Sequence, residues 1–133
     1  MTLNFISFAQ DISERKVPTP IIQKFHKLYP KAYDVEWGKE GQLYKVEFEL
    51  GLLEVDHDIW FDENTQIVRH KEEIEKTELP SSIQQYLQTN FNGYRINDIF
   101  RITEDNTITY LMKVKSIHEV LKIAFDNNGK RIN

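Results

Sequence analysis

The sequence contains no cysteine among its 133 residues. Disulfide bonds, thiol catalysis and cysteine-ligated zinc are therefore excluded. This absence does not indicate a compartment, because cysteine-free proteins persist in both reducing and oxidising surroundings. Glycine and proline are also scarce, with 5 and 4 residues. The composition is thus far from that of collagen-like or low-complexity chains.

The sequence also lacks a basic excess and a long apolar run. Its formal net charge is −4, whereas nucleic-acid binding needs basic residues that displace counterions. No apolar stretch is long enough to predict a membrane-spanning helix. There is no glycine-rich phosphate loop, no Gly-x-Ser-x-Gly elbow and no His-Glu-x-x-His motif. These absences predict a protein without catalytic activity, cofactor, nucleic-acid partner or membrane span.

Aromatic residues are plentiful, with 8 Phe, 6 Tyr and 2 Trp. Each buries a large area, so a chain of this length can form a proper core. The apolar fraction of 40% and charged fraction of 29% are ordinary for a folded soluble domain.

An internal repeat is the strongest signal. The first copy starts at residues 17–18 (Val-Pro) and the second at residues 79–80 (Leu-Pro). Three matched pairs are 62 residues apart: Ile21 with Ile83, Phe25 with Leu87, and Tyr29 with Phe91. Further along the chain, Tyr44 matches Tyr110 at an offset of 66, and residues 59–62 match residues 123–126 at an offset of 64. The predicted organisation is a tail over 1–16, a first unit over 17–78 and a second over 79–133, within one compact domain.

Each copy predicts a helix followed by strands. Two stripes have helical spacing, Ile21, Phe25, Leu28 and Tyr29 in the first copy and Ile83, Tyr86, Leu87 and Phe91 in the second. Period-two alternation then predicts strands around Tyr33–Trp37, Tyr44–Leu50, Leu53–Phe61, Ile108–Val114 and Leu121–Phe125. Residues 69–78 are expected to form a solvated connector with a Glu72–Lys76 helical pair. The predicted class is α+β, a continuous antiparallel sheet of about eight strands with the helices on one face.

The other sheet face is expected to carry charge. A two-residue turn at residues 51–52 would place Glu49 opposite Glu54, Glu47 opposite Asp56, and Lys45 opposite Asp58. Opposed like charges weaken a sheet, so a basic protein partner, a cation or plain hydration would have to offset them. The second copy inverts the sign. Residues 17–78 carry 8 Lys or Arg against 14 Asp or Glu, and residues 79–133 carry 7 against 5.

The candidate partner-binding residues are those predicted on this face. They are Lys45, Glu47, Glu49, Glu54, Asp56, Asp58 and Trp60 in the first copy, and Lys113, Lys115 and Lys122 in the second. Trp60 has two interpretations: an exposed interface anchor, or a side chain covered by lysine stems or a loop. A slip of one residue would instead bury it beneath the helix.

Two other function classes stay open. A calcium-binding or cation-sensing domain would use Glu47, Glu54 and Asp56 as oxygen ligands, and a self-assembling accessory domain would use the opposite charges of the two copies. His57 has the buried parity, which favours a packed, hydrogen-bonded histidine over a metal ligand. The other three histidines, His26, His70 and His118, show no ligand spacing.

Residues 3–9 resemble the end of a secretory signal peptide, with Ser7 and Ala9 at the small positions before a cleavage site. A basic segment before them is missing. We expect an exported protein, located in the periplasm or outside the cell.

Several motifs together resemble a known family. They are Tyr29-Pro30, Val35-Glu36-Trp37, Tyr44-x-Val46-x-Phe48, the Phe-Asp turns with Asn128-Gly129, and the restart at Leu79-Pro80. From about residue 17 to the end, the chain resembles PepSY-like proteins related to the β-lactamase-inhibitor-protein fold. The resemblance implies a small exported bacterial protein whose concave sheet face binds, and inhibits or modulates, a protein such as a protease or another hydrolase. As a binding module, it is expected to be a monomer or weak homodimer. The charged face and the lack of disulfides argue against inhibition of a β-lactamase itself.

Overall fold

A computed structural model of the chain describes residues 9–133. It contains two helices of ten residues, α1 (Thr19–Leu28) and α2 (Ser81–Asn90), and eight strands. The strands are β1 (Gln10–Ile12), β2 (Tyr33–Glu40), β3 (Leu43–Leu50), β4 (Val55–Phe61), β5 (Ile67–Glu73), β6 (Arg95–Glu104), β7 (Thr107–Lys115) and β8 (Val120–Asp126). Within residues 9–133, neither helix has the length and apolar character needed to cross a membrane.

The strands form one antiparallel sheet in chain order, from β1 to β8. This confirms the predicted α+β class and the eight-stranded sheet. The chain divides into two compact units, the first ending at His70 and the second beginning at Lys71. The limits proposed from the repeat, 17–78 and 79–133, remain a prediction of domain organisation.

The core of the first unit lies between α1 and one face of its strands. Ile21 and Phe25 of α1 are fully buried, and the Phe25 ring centroid lies 5.0 Å from that of Phe48 and 5.4 Å from that of Trp37. Three of the four residues in the predicted stripe join this core. Leu28 does not, because it ends the helix and remains 48% exposed.

The second unit repeats this packing. Ile83 and Leu87 of α2 are buried against Met112, Ile123 and Phe125. The ring of Tyr86 packs edge-on against Phe125, with centroids 5.2 Å apart. Apart from Leu28, the helical periodicity therefore identified both core-facing stripes.

Residues 69–78 differ from the prediction. Instead of forming a solvated connector, residues 67–73 form strand β5, and residues 76–78 form a short 3₁₀ turn. The Glu72–Lys76 helical pair does not form, because Glu72 lies in the strand and accepts a hydrogen bond from Arg101 Nε at 2.8 Å. Strand β5 was not predicted because its charged side chains interrupt the hydrophobic alternation that indicates a strand.

The predicted tail over 1–16 also contains regular structure. Gln10–Ile12 forms β1 and pairs with Trp37–Lys39 of β2, and Glu14–Lys16 forms a 3₁₀ turn. The segment proposed as a signal-peptide remnant lies, except for Ala9, outside the described residues.

A bulge recurs at the same place in both copies. The pairing of β2 with β3 shifts between Tyr33 and Glu36, and the pairing of β6 with β7 shifts between Asn97 and Phe100. Within these shifts, Asp34 and Asp98 have φ values of 52° and 50°. Aspartate tolerates this left-handed conformation better than most residues do. The bulge interrupts the side-chain alternation that predicted a regular strand at Tyr33–Trp37.

Two aspartates stabilise equivalent turns of the repeat. Asp62 Oδ1 accepts hydrogen bonds from the N–H groups of Asn64 and Gln66, and Asp126 Oδ1 accepts them from Asn128 and Lys130, at 2.8–2.9 Å. We expect Asp62→Ala and Asp126→Ala each to lower the free energy of unfolding by about 1–2 kcal/mol, since each removes two charge-assisted bonds. Urea denaturation measures this loss. Asparagine at either position should restore part of the lost stability, and an equal loss for Ala and Asn would contradict the hydrogen-bond explanation.

Candidate protein-binding surface

The β3–β4 hairpin fixes the positions of the predicted face residues in the first unit. Its turn covers four residues, 51–54, instead of the two that were predicted. Gly51 and Glu54 have φ values of 76° and 54° there. The register therefore differs from the predicted one by two residues, so the three proposed cross-strand pairings were wrong. The assignment of side chains to faces holds, because only an odd shift exchanges the two faces of a strand.

Four carboxylates, Glu47, Glu49, Asp56 and Asp58, form what we call the acidic face. In the observed register Glu49 is opposite Asp56, and Glu47 is opposite Asp58. The neighbouring residues Val46, Phe48 and Ile59 belong to the core under α1, so alternation places the four carboxylates on the side away from the helix. Like charges directly opposite each other are destabilising. Two such pairs in succession are therefore a feature that folding alone would not favour.

Lys45 lies beside this acidic face and is itself buried, with 4% of its surface exposed. Its Nζ atom is 2.8 Å from Glu47 Oε1 and 3.8 Å from Asp58 Oδ2. The glutamate side chain is 47% exposed and the aspartate side chain 21%. The lysine thus neutralises part of the charge of one like-charged pair from beneath the surface.

Trp60 is opposite Lys45 and is only 2% exposed. Its ring centroid lies 5.3 Å from Lys45 Nζ and 4.8 Å from Arg69 Cζ, and its Nε1–H donates to Glu40 Oε2 at 2.8 Å. The indole does not belong to the core cluster under α1. The structure therefore confirms the interpretation in which charged side chains cover Trp60, and the exposed-anchor interpretation is wrong. No local sequence signal identified Glu40 or Arg69 as its partners.

The hairpin turn adds an apolar tip to the acidic face. Leu52 is fully exposed and Leu53 is 79% exposed, although Leu53 was predicted to begin the following strand. Glu54 lies in the same turn, outside β4. The Tyr33 hydroxyl donates to Gly51 O at 2.8 Å. The pKa of Tyr33 is raised above its ordinary value, mainly by desolvation and secondly by the negative charge of Glu49.

The cation site proposed from Glu47, Glu54 and Asp56 does not assemble. Glu47 is opposite Asp58 and not Asp56, and Glu54 is in the turn. Within residues 9–133 these three carboxylates do not converge on one point. The prediction of a calcium-binding triad was therefore wrong, because it depended on the two-residue turn.

His57 is buried and hydrogen-bonded, as predicted. Its Nδ1 lies 3.0 Å from His70 Nε2, and its ring stacks on Phe48 with centroids 5.2 Å apart. This pairing was not predicted, because the two histidines are 13 residues apart and show no ligand spacing. Only the pairing of β4 with β5 brings them together.

The second unit has the opposite charge at the equivalent positions. Lys113 is directly opposite Lys122, where the first unit has Glu47 opposite Asp58, and Lys115 is opposite Val120. Lys113 Nζ is 3.2 Å from Asp98 Oδ2. The three lysines thus occupy the strand positions that the repeat predicted.

Comparisons with known proteins agree with this fold. The profile of a family described as "Putative beta-lactamase-inhibitor-like, PepSY-like" matches residues 6–53 and 42–133. No curated protein matches the chain in sequence.

Several solved structures with the same fold are from Bacteroides species. A protein from B. eggerthii described as a "putative periplasmic" protein has a TM-score of 0.75 and 16% identity, over 88% of this chain and 86% of its own. A DUF2874 family protein from B. uniformis has a TM-score of 0.72 and 19% identity, over 88% and 87%. A BLIP-like protein from B. fragilis has a TM-score of 0.68 and 18% identity, over 87% and 83%. Because the family profile matches residues 6–53 and 42–133, this chain belongs to the PepSY-like, β-lactamase-inhibitor-like family.

Proposed function

We propose that the protein is a non-enzymatic, exported binding module that holds a basic surface of a protein partner against its acidic face. The partner class that best fits an inhibitor-like family is a hydrolase, such as a protease. One observation carries this proposal: two like-charged pairs lie next to each other on the strand face away from α1. In the first pair Glu47 is opposite Asp58, and in the second Glu49 is opposite Asp56.

The energetics of these pairs support a binding role. An opposed like-charged pair weakens an isolated hairpin by a fraction of a kcal/mol, up to about 1 kcal/mol. Lys45 offsets part of this cost for Glu47 and Asp58. A partner that presents lysine or arginine between the carboxylates would reverse the sign of this contribution. Such charge complementarity raises association rates and specificity more than it raises affinity. The exposed Leu52 and Leu53 next to the acidic face supply apolar area that charge alone does not offer.

Export is supported by two features. The sequence of residues 3–9 resembles the end of a signal peptide, and a protein of the same fold is described as periplasmic. Absence of cysteine is compatible with that compartment but does not favour it.

The inversion of charge between the copies favours a second candidate function, self-assembly. The acidic face of one molecule is complementary to the lysines of the second unit of another, Lys113, Lys115 and Lys122. Contacts between two different surfaces produce head-to-tail chains. Sedimentation velocity at low and high salt distinguishes this candidate, because only charge-driven assembly dissociates as salt screens the surfaces.

The proposed function predicts that binding and stability respond in opposite directions when the acidic face is neutralised. In the double variant Glu49→Gln/Asp56→Asn we expect the free energy of unfolding to rise by about 0.2–1 kcal/mol, because one like-charged pair is removed. Capture of the partner from a soluble envelope extract at low salt should fall to background. Urea denaturation measures the first effect, and quantitative mass spectrometry of the captured proteins measures the second.

A matched control separates this surface from general electrostatics. The variant Glu63→Gln/Asp105→Asn removes the same charge from exposed turns that precede β5 and β7. A captured protein counts as a partner only if this control retains it and the acidic-face variant loses it. If the two variants capture the same proteins, the acidic face is not the binding surface.

A further inference from the structure

We propose that His57 and His70 form a binding site for a divalent transition-metal ion such as Zn²⁺, on the side of the first unit that packs against α1. The site is independent of the acidic face, which lies on the other side of the same strands. His57 is opposite Phe48 in the register that places Glu47 opposite Asp58, so successive residues of this hairpin face opposite ways.

The distance between the two facing nitrogens is close to the separation that a zinc ion requires of two ligands. His57 Nδ1 and His70 Nε2 are 3.0 Å apart. Two nitrogen ligands of a tetrahedral zinc ion, each about 2.0–2.1 Å from the metal, are separated by about 3.4 Å. A small widening of the ring pair therefore accommodates the ion. The two facing nitrogens are therefore already close enough to bind one ion after this adjustment.

Metal binding requires only that one of the two imidazole rings change its tautomer. Neutral imidazole carries one N–H, so in the hydrogen-bonded pair one facing nitrogen donates and the other accepts. To bind a metal, the donating ring moves its proton to its other nitrogen, so both facing nitrogens offer lone pairs. Both imidazoles stay neutral, which is the form that ligates metals.

Aromatic neighbours hold both rings in place. His57 stacks on Phe48 with an interplanar angle of 12°, and the His70 ring lies 6.5 Å from that of Tyr29. His57 is 9% exposed, whereas His70 is half-buried and gives access from solvent. Rigid, partly buried ligands lose little freedom on binding, which favours affinity. Water or a group from another molecule would complete the coordination, as in zinc sites that keep an open position.

Zinc titration of the whole chain tests the site. Isothermal calorimetry in a non-coordinating buffer at neutral pH should show one Zn²⁺ per chain, and His70→Gln should weaken its binding at least tenfold. Loss of an outer-shell group alone weakens metal affinity about 10- to 100-fold, so loss of one of two protein ligands should cost no less. Nitrogen-15 NMR of the imidazoles should show metal-induced shifts for His57 and His70 only.

The remaining histidines provide the control. His26 and His118 are exposed, so the variant His26→Gln/His118→Gln should bind Zn²⁺ like the wild type. Circular dichroism verifies that each variant is folded. Equal affinity of His70→Gln and wild type, loss of binding in the control variant, or no binding at millimolar Zn²⁺ would each overturn the proposal. None of these results bears on the acidic face, so failure here leaves the protein-binding proposal unaffected.

Discussion

Replacing Trp60 by alanine is expected to lower the free energy of unfolding by about 3–5 kcal/mol, the usual cost of truncating a buried tryptophan. The indole is 2% exposed, donates to Glu40 and lies beneath Lys45 and Arg69. Removing it leaves a cavity and deprives both cations of their contact with the ring. Urea denaturation followed by far-ultraviolet circular dichroism measures the effect. An exposed interface anchor would behave differently, because its truncation would abolish binding and leave stability unchanged.

Leu52→Ala serves as the control for this prediction. Leu52 is as large as many core residues but fully exposed in the β3–β4 turn, so its truncation should change stability by no more than about 0.5 kcal/mol. If Trp60→Ala costs no more than Leu52→Ala, the indole is not structural, and the exposed-anchor interpretation would return.

The second large effect is expected at Lys45. Lys45→Met keeps the aliphatic stem but removes the charge, and should lower the free energy of unfolding by about 1–3 kcal/mol. Breaking a fully buried ion pair costs about 3–5 kcal/mol because a charge is left unpaired. The cost is smaller here, since Glu47 and Asp58 keep 47% and 21% of their side-chain surface exposed and water screens them. Chemical denaturation at low salt measures the loss.

A double-mutant cycle attributes this loss to its electrostatic cause. In the background Glu47→Gln/Asp58→Asn, the opposed carboxylates are gone and Lys45→Met should cost much less than in the wild type. High salt should likewise reduce the cost in the wild-type background. An identical cost in both backgrounds would show that Lys45 acts through packing of its stem alone.

Together these two residues change where a partner can bind. Lys45 and Trp60 were candidate contact residues, but both are buried and support the surface from below. The side chains left for a partner in the first unit are the acidic face and the leucines of the turn. A tryptophan next to charged residues in sequence therefore does not by itself indicate an interface, because lysine and arginine stems can cover an indole.

Most of the architecture could be predicted from periodicity. The repeat offset of 62 between Ile21 and Ile83 located both helices, and period-two alternation located β3, β4, β7 and β8. Strands β1, β5 and β6 were not predicted. Strand β1 has only three residues, and β5 and β6 carry many charged side chains, so hydrophobic alternation is weak in all three. The bulges at Asp34 and Asp98 were also missed, because a left-handed aspartate leaves no periodic signal.

The sequence by itself determined the fold class, the duplication and which side of each hairpin strand is charged. These are local properties, since they depend only on spacing along the chain, and an error of two residues in the turn at Gly51 did not alter them. Tertiary structure decided the rest. Lys45 and Arg69 cover Trp60, the calcium triad does not assemble, and His57 is hydrogen-bonded to His70. Each of these depends on cross-strand register and on long side chains from other strands, and no pattern within a single strand encodes either.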